Sequence, residues 1–214
     1  MLWSILLAGI PERYHSVQPL LFSLLESQHV ARMPDVELVY LMDNRRRTVG
    51  SKRNALLDMS HGEYVSFVDD DDEVAADYVA RIYREIVKTR KEESPADVIC
   101  FNQRALIQPH AVIHECSYSL SYWRDREPNA RRQIAVATDA SGEPVPNTLA
   151  WTGPPAHTQV WRRATIADDR FTNKTFGEDV EWIDRICARA TKEIQLGGQP
   201  LYIYKFSEEG SATR

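Results

Sequence analysis

The apolar positions in the first hundred residues fall into two alternating kinds of run. Trp3 to Ala8, Val36 to Met42, Tyr64 to Val68 and Val98 to Phe101 are short, continuous and rich in β-branched or aromatic residues, the pattern of buried parallel strands. Between them, apolar residues recur three and four apart. Val17, Leu20, Leu21, Leu24 and Leu25 predict an amphipathic helix ending near His29. Leu56, Leu57 and Met59 predict a short helix opened by Gly50-Ser51, with Ser51 as its N-cap. Tyr78, Val79, Ile82, Ile86 and Val87 predict a third, from about Asp77 to Arg90. Such alternation implies an α/β fold, a Rossmann-like open and mostly parallel sheet with helices on both faces.

Beyond residue 102 the regularity is lost. Strand-like pieces occur between Val112 and Tyr122, a charged loop from Trp123 to Arg132, and a turn at Ser141-Gly142-Glu143-Pro144. Trp151-Thr152-Gly153-Pro154-Pro155 reads as a loop, followed by a strand over Thr158 to Trp161. Phe176-Gly177-Glu178-Asp179 opens a helix with Val180, Ile183, Ile186, Cys187 and Ala190 on one side; Gly197-Gly198 turns the chain into a last strand, Leu201 to Phe206. The polar stretch from 207 to 214 reads as a loose tail. With no repeat or linker, 214 residues are read as a single domain, a nucleotide-binding half over 1–102 and an acceptor half over 103–206.

Composition narrows the class. The chain is 43% hydrophobic and 27% charged, enough apolar material for a packed core. A net charge of -5 argues against a nucleic-acid coat protein but leaves room for a local basic groove. Cys100, Cys116 and Cys187 form no CxxC, so a reducing, cytoplasmic setting is expected, and His110 and His114 lack the partners of a zinc site. No apolar run is long enough to span a bilayer and the start lacks a basic leader, so no membrane anchor is expected.

The chemistry concentrates where Tyr64 to Val68 runs into Asp69-Asp70-Asp71-Asp72. In open α/β sheets, ligands bind beyond the carboxyl ends of strands. Four adjacent carboxylates repel one another, and a cation among them relieves this; oxygen ligands suit Mg²⁺ or Mn²⁺. An acidic turn capping the next helix is the plainer alternative. A calcium loop is excluded, because its sixth and twelfth places hold Val74 and Ala80 rather than Gly and Glu. Neither GxxxxGK nor GxGxxG is present, so phosphates would be held by metal and basic side chains. Lys52 and Arg53 are candidates, unless they are solvated helix charge. Glu178-Asp179 at a helix start either complements the helix dipole or holds an ionised general base.

Taken together, strand one with its Pro-containing loop (Ile5 to Arg13), Asp43 ending strand two, Gly50-Ser51-Lys52-Arg53-Asn54-Ala55, Gly62 to Asp72, and Gly177-Glu178-Asp179 resemble a family 2 glycosyltransferase with the A-type nucleotide-sugar-binding fold. The resemblance covers 1–102 and 176–190 and is weak over 103–150. It implies a metal-dependent inverting transfer from a nucleoside-diphosphate sugar, with UDP favoured, to an acceptor hydroxyl. Asp71 would bind the Mn²⁺ or Mg²⁺ that bridges the diphosphate, and Asp69 would contact the ribose or the metal indirectly. Asp70 completes the motif, Asp72 would orient the donor sugar, and Asp43 would accept from the base. Lys52 or Arg53 would approach the diphosphate or base, and of the pair Glu178-Asp179, Asp179 would be the base. The loop Gly9-Ile10-Pro11-Glu12-Arg13 departs from the family's usual form, and no processive-synthase motif follows, which favours single transfer.

Trp151, His157 and Trp161 flank the acceptor region in sequence, though packing explains most tryptophans and His157 alone reads as a hydrogen-bonded loop residue. Arginine clusters at 45–47, at 124, 126, 131 and 132, and at 162–163 would suit a polyanionic acceptor such as hydroxymethylated DNA or a charged surface glycan, or are solvated surface. The rival readings are a metal-dependent phosphoesterase or nuclease using the tetrad, and a non-catalytic nucleotide- or carbohydrate-binding module.

Overall fold

The computed structural model describes residues 1–108, 112–127 and 130–207; His110 and the tail from 208 onward lie outside the described residues. The first half runs β1 (Trp3–Gly9), α1 (Tyr14–Phe22), β2 (Val36–Met42), α2 (Val49–Met59), β3 (Tyr64–Asp69), β4 (Glu73–Val74), α3 (Tyr78–Thr89) and β5 (Val98–Phe101). The second runs β6 (Gln103–Gln108), β7 (Val112–Tyr118), α4 (Leu120–Asp125), β8 (Gln133–Thr138), β9 (Pro144–Gly153), β10 (Val160–Arg162), α5 (Arg163–Ile166), α6 (Glu178–Cys187), β11 (Glu193–Leu196) and β12 (Tyr202–Ser207).

These strands form two six-stranded sheets, ordered β11-β5-β10-β3-β1-β2 and β4-β12-β6-β7-β9-β8. In the first, β1 is parallel to β2 and β3, and β11 to β5; β10 alone runs against its neighbours. Continuous apolar runs suit it, since β3 and β5 are buried on both faces. One face packs on Val17, Leu20 and Leu24 and on Tyr78, Ile82 and Ile86 of α3. The other packs on Leu56 and Leu57 of α2, Leu120 of α4, and Trp182 and Ile186 of α6. Trp182 is fully buried and stacks on Phe171 with ring centroids 4.4 Å apart.

The first-half elements lie where the periodicity places them, with two physical adjustments. Pro19 sits inside α1, where it has no N–H to donate; after Phe22 the chain widens into a π turn over Ser23–Ser27 instead of continuing as α-helix to His29. Helix α2 is capped by Thr48, whose Oγ1 accepts from Ser51 N at 3.1 Å, so Ser51 lies inside the first turn rather than at the cap. Lys52 and Arg53 follow in the same helix, and both are buried.

The second half departs further. The second sheet is not foreshadowed by the alternation before it. Residues 120–125 are helical, and Trp151 to Gly153 end the long strand β9 instead of forming a loop. The turn at Ser141-Gly142-Glu143 is the β8–β9 hairpin, where Glu143 N and Ser141 N donate to Asp139 Oδ1. Between β3 and β4 the chain crosses from the first sheet to the second. The acidic tetrad occupies that crossing, at the carboxyl edge of the parallel strands.

Candidate active site

The tetrad divides by alternation. Asp70 and Asp72 are buried and bonded to the scaffold. Asp70 accepts from Ile10 N at 3.1 Å and from Arg13 Nη1 at 2.8 Å, which pins the loop after β1. Asp72 accepts from Tyr202 Oη at 2.7 Å and Lys205 N at 2.8 Å, which pins β12 of the second sheet. Asp69 and Asp71 keep part of their surface in solvent, with side chains 29% and 31% exposed. Burial raises the Asp71 pKa, Arg13 at 2.9 Å opposes it, and Asp69 and Asp70 add to the rise, so that it reaches about 6.

Asp69 belongs to a second set of contacts, centred on Arg53. The Arg53 guanidinium donates to Glu178 Oε1 at 2.5 Å and to Asp69 Oδ1 at 3.1 Å, and its Nη2 lies 2.8 Å from His157 Nε2. Phe67 and Phe171 flank it, at 5.8 and 5.6 Å from their ring centroids. His157 Nε2 is 3.4 Å from Asp69 Oδ2, and Nδ1 is 3.5 Å from Asp179 Oδ2. The structure thus brings residue 179 to residue 69 through one imidazole.

The electrostatics sort these acids. Burial would raise the Asp69 pKa, but Arg53 and then His157 outweigh it and hold the carboxyl well below the usual range. Asp179 follows the same logic, with His157 as the stronger partner. Burial raises the Glu178 pKa; Arg53 pulls it back and Asp179 adds to the rise. Burial and Arg53 oppose charge on His157, yet Asp69 and Asp179 raise its pKa overall. Nε2 lies within reach of Arg53 and Asp69, and Nδ1 faces Asp179. Asp179 is 36% exposed, whereas Glu178 is buried against Arg53. An incoming hydroxyl can therefore meet Asp179 but not Glu178.

At the end of β2, Asp43 Oδ1 accepts from Lys52 Nζ at 2.9 Å and from Arg45 N at 3.2 Å. Burial raises its pKa, but Lys52 and the backbone donors lower it overall. Lys52 Nζ also donates to Gly9 O at 2.8 Å, tying β1 to β2. Asp43 Oδ2 is buried with no hydrogen-bond partner, an acceptor left over at the sheet edge.

The other sequence candidates are dispersed. Trp161 is core, edge-on to Trp182, and Trp151 packs on Tyr118 in the second sheet. Arg126 and Arg131 bind Asp184 at 2.8 and 2.7 Å, and Arg124 donates to the carbonyls of Ala190 and Thr191 beyond α6. Arg163 bonds Gly62 O and Ser60 Oγ. Arg45 reaches Glu12 in the loop after β1, so of the three clusters only 45–47 adjoins the site.

From the sequence His157 reads as a hydrogen-bonded loop residue; it is one, and its partners Arg53 and Asp69 put it in the site. Trp161 pairs with Val65 and Arg162 with Tyr64 in the antiparallel β10–β3 ladder. Continuing that register toward the carboxyl edge brings His157 opposite Asp69. Its signal appears only once β10 is known to insert between β3 and β5.

The family model for Glycosyl transferase family 2 matches residues 27–137, just over half of the chain, and the chain belongs to that family. Its architecture is the A-type fold. It superposes on S. aureus TarS 1–349 in complex with UDP-GlcNAc with a TM-score of 0.61 and 16% identity, covering 100% of this chain and 60% of that one. With TarS 1–349 in complex with UDP the TM-score is 0.58 at 16% identity, covering 98% of this chain and 62% of that one. This chain therefore spans about three fifths of the length of those it resembles. A sequence comparison with curated proteins gives no match. Among the described residues, no helix is long and apolar enough to cross a membrane.

Proposed function

We propose that this chain is an inverting glycosyltransferase that moves a sugar from a nucleoside-diphosphate donor to an acceptor hydroxyl. The observation that carries the reading is the convergence of Asp69, His157 and Asp179 on one sheet edge, beside a half-exposed Asp71. A uridine donor is favoured, because the similar TarS structures carry UDP-GlcNAc or UDP. Asp43, at the end of β2 with its side chain 17% exposed, suits the N–H of a pyrimidine base. Lys52 holds Asp43 in place and Arg53 keeps Asp69 ionised, while Asp70 and Asp72 fix the turn that presents Asp69 and Asp71.

Among the described residues, no three His, Cys, Asp or Glu side chains are placed so as to hold a metal ion by themselves. Mg²⁺ or Mn²⁺ needs no such triad, because one or two carboxylates and the substrate's phosphates complete its shell. Asp71 fits that role: it is a part-exposed carboxylate next to Asp69 and Asp70, and burial first, then those two neighbours, raise its pKa against the pull of Arg13. When bound through Asp71, with Asp69 beside it, such an ion would offset charge on the departing diphosphate.

Asp179 accepts the proton of the acceptor hydroxyl as its oxygen bonds to the anomeric carbon. The bond from that carbon to the diphosphate breaks on the opposite face and its electron pair leaves with the phosphate, so configuration inverts. Glu178, held by Arg53, anchors the helix that presents Asp179. A polyanionic acceptor, DNA included, would be met by the arginines at 45–47. The buried free thiols Cys100, Cys116 and Cys187 suit a reducing compartment such as the cytoplasm.

The deciding experiment is a panel of nucleoside-diphosphate sugars with Mn²⁺, read as release of nucleoside diphosphate by slow transfer to water. A UDP-sugar is expected to react, and Asp71→Ala to lose Mn²⁺-dependent UDP binding in calorimetry. If no donor reacts and no nucleotide binds, the reading is wrong.

A further inference from the structure

We infer that His157 is a positioning residue that holds Asp179 in line for attack; this rests on the glycosyltransferase reading above. The ring is only 11% exposed and packs near Phe67, with centroids 6.2 Å apart. Both nitrogens face protein groups: Nδ1 meets Asp179 Oδ2 at 3.5 Å, and Nε2 meets Arg53 Nη2 at 2.8 Å and Asp69 Oδ2 at 3.4 Å. Neither nitrogen is open to an acceptor hydroxyl, so His157 is not itself the base.

Its contribution is geometric. Asp179 Oδ1 already accepts from Val180 N at 2.9 Å. With His157 Nδ1 3.5 Å from Oδ2, both carboxylate oxygens have a neighbour that restrains the group. Removing the imidazole frees the Asp179 torsions, while Arg53 remains to favour its ionised form. It also leaves Arg53 and Glu178 paired, so the start of α6 stays anchored. A displacement near 1 Å at a reacting group costs roughly 100-fold in rate.

The two nitrogens can be replaced separately. In His157→Asn the amide nitrogen stands where Nδ1 was and can still donate to Asp179. In His157→Gln the amide reaches the Nε2 position, toward Asp69 and Arg53. The readouts are hydrolysis of the UDP-sugar that the wild type turns over fastest, UDP affinity by calorimetry, and a thermal melt.

His157→Ala is expected to lose roughly 100-fold in kcat, with donor KM and UDP affinity changed by less than about threefold. His157→Asn should recover at least about tenfold of that loss, and His157→Gln should not. Equal losses in Asn and Gln, recovery in Gln alone, a loss confined to KM and UDP affinity, or an unaffected Ala variant would each overturn the assignment. If Ala fails to fold, the comparison of Asn with Gln decides by itself, since both keep a polar side chain of similar bulk. A wild type that hydrolyses no donor and binds no UDP removes the parent reading as well, which separates the two failures.

Discussion

Asp179 is the part-exposed carboxylate that His157 links to Asp69 and the tetrad. Its partners are arranged to keep it ionised: His157 and Arg53 together override its burial. Asp179→Asn keeps the size and the Val180 contact but removes the carboxylate proposed above to take the proton. Turnover should fall by about 10²–10⁴ while UDP affinity stays within about twofold. Turnover near that of the wild type would show that another group takes the proton. Arg53 and Lys52 show how residue type and residue role part company. Both look like ordinary helix charge, yet each is buried against a carboxylate from a distant segment, Lys52 on Asp43 and Arg53 on Glu178. The tetrad was legible as a site from its place after a buried strand. Its split into two structural and two half-exposed carboxylates was not, because that depends on Arg13, Tyr202 and Lys205, which arrive from distant parts of the chain.

At the scale of the element, the start of α6 rests on Gly177, whose φ is +77°. A side chain there is strained whatever the space around it. Gly177→Ala should cost about 1–2 kcal/mol and lower the melting temperature by a few degrees. Turnover should fall further than this stability loss alone explains, since Glu178 and Asp179 follow directly. Equal, small effects on both would show that the cap is merely structural.

A second element-level joint is Asp97, just before β5. It accepts from Thr165 Oγ1 at 2.6 Å, Thr191 N at 2.7 Å and Lys192 N at 3.0 Å, tying β5 to α5 and β11. Burial raises its pKa, but these donors lower it overall. A folded pKa below the unfolded one means stability present in full above about pH 4 and lost as pH falls through the folded value. Asp97→Asn should therefore cost about 1 kcal/mol at neutral pH, after allowance for solvent screening. The difference from wild type should vanish in strong acid; a gap independent of pH would exclude the carboxylate as its source.

For the whole molecule, Arg53 joins what the chain keeps far apart, since it lies on α2 and binds the end of β3 and the start of α6. Arg53→Met leaves buried Glu178 and Asp69 without their cation. Unfolding in denaturant should show a loss of about 3–5 kcal/mol, larger than a core methionine swap would cause. A loss below 1 kcal/mol would mean that water readily replaces the guanidinium.

By itself the sequence determined the strands and helices of the first half, the acidic edge after Val68, and the helix beginning at residue 178. Those are local consequences of apolar spacing, capping and chain reversal, each written within a dozen or so residues. The tertiary structure alone decided that β10 runs against its neighbours between β3 and β5, that a second sheet takes up β4 and β12, and that His157 comes to rest between Asp69 and Asp179. Strand partners and register arise from burying whole faces against one another, and no short window of sequence records which distant segment will fill the gap.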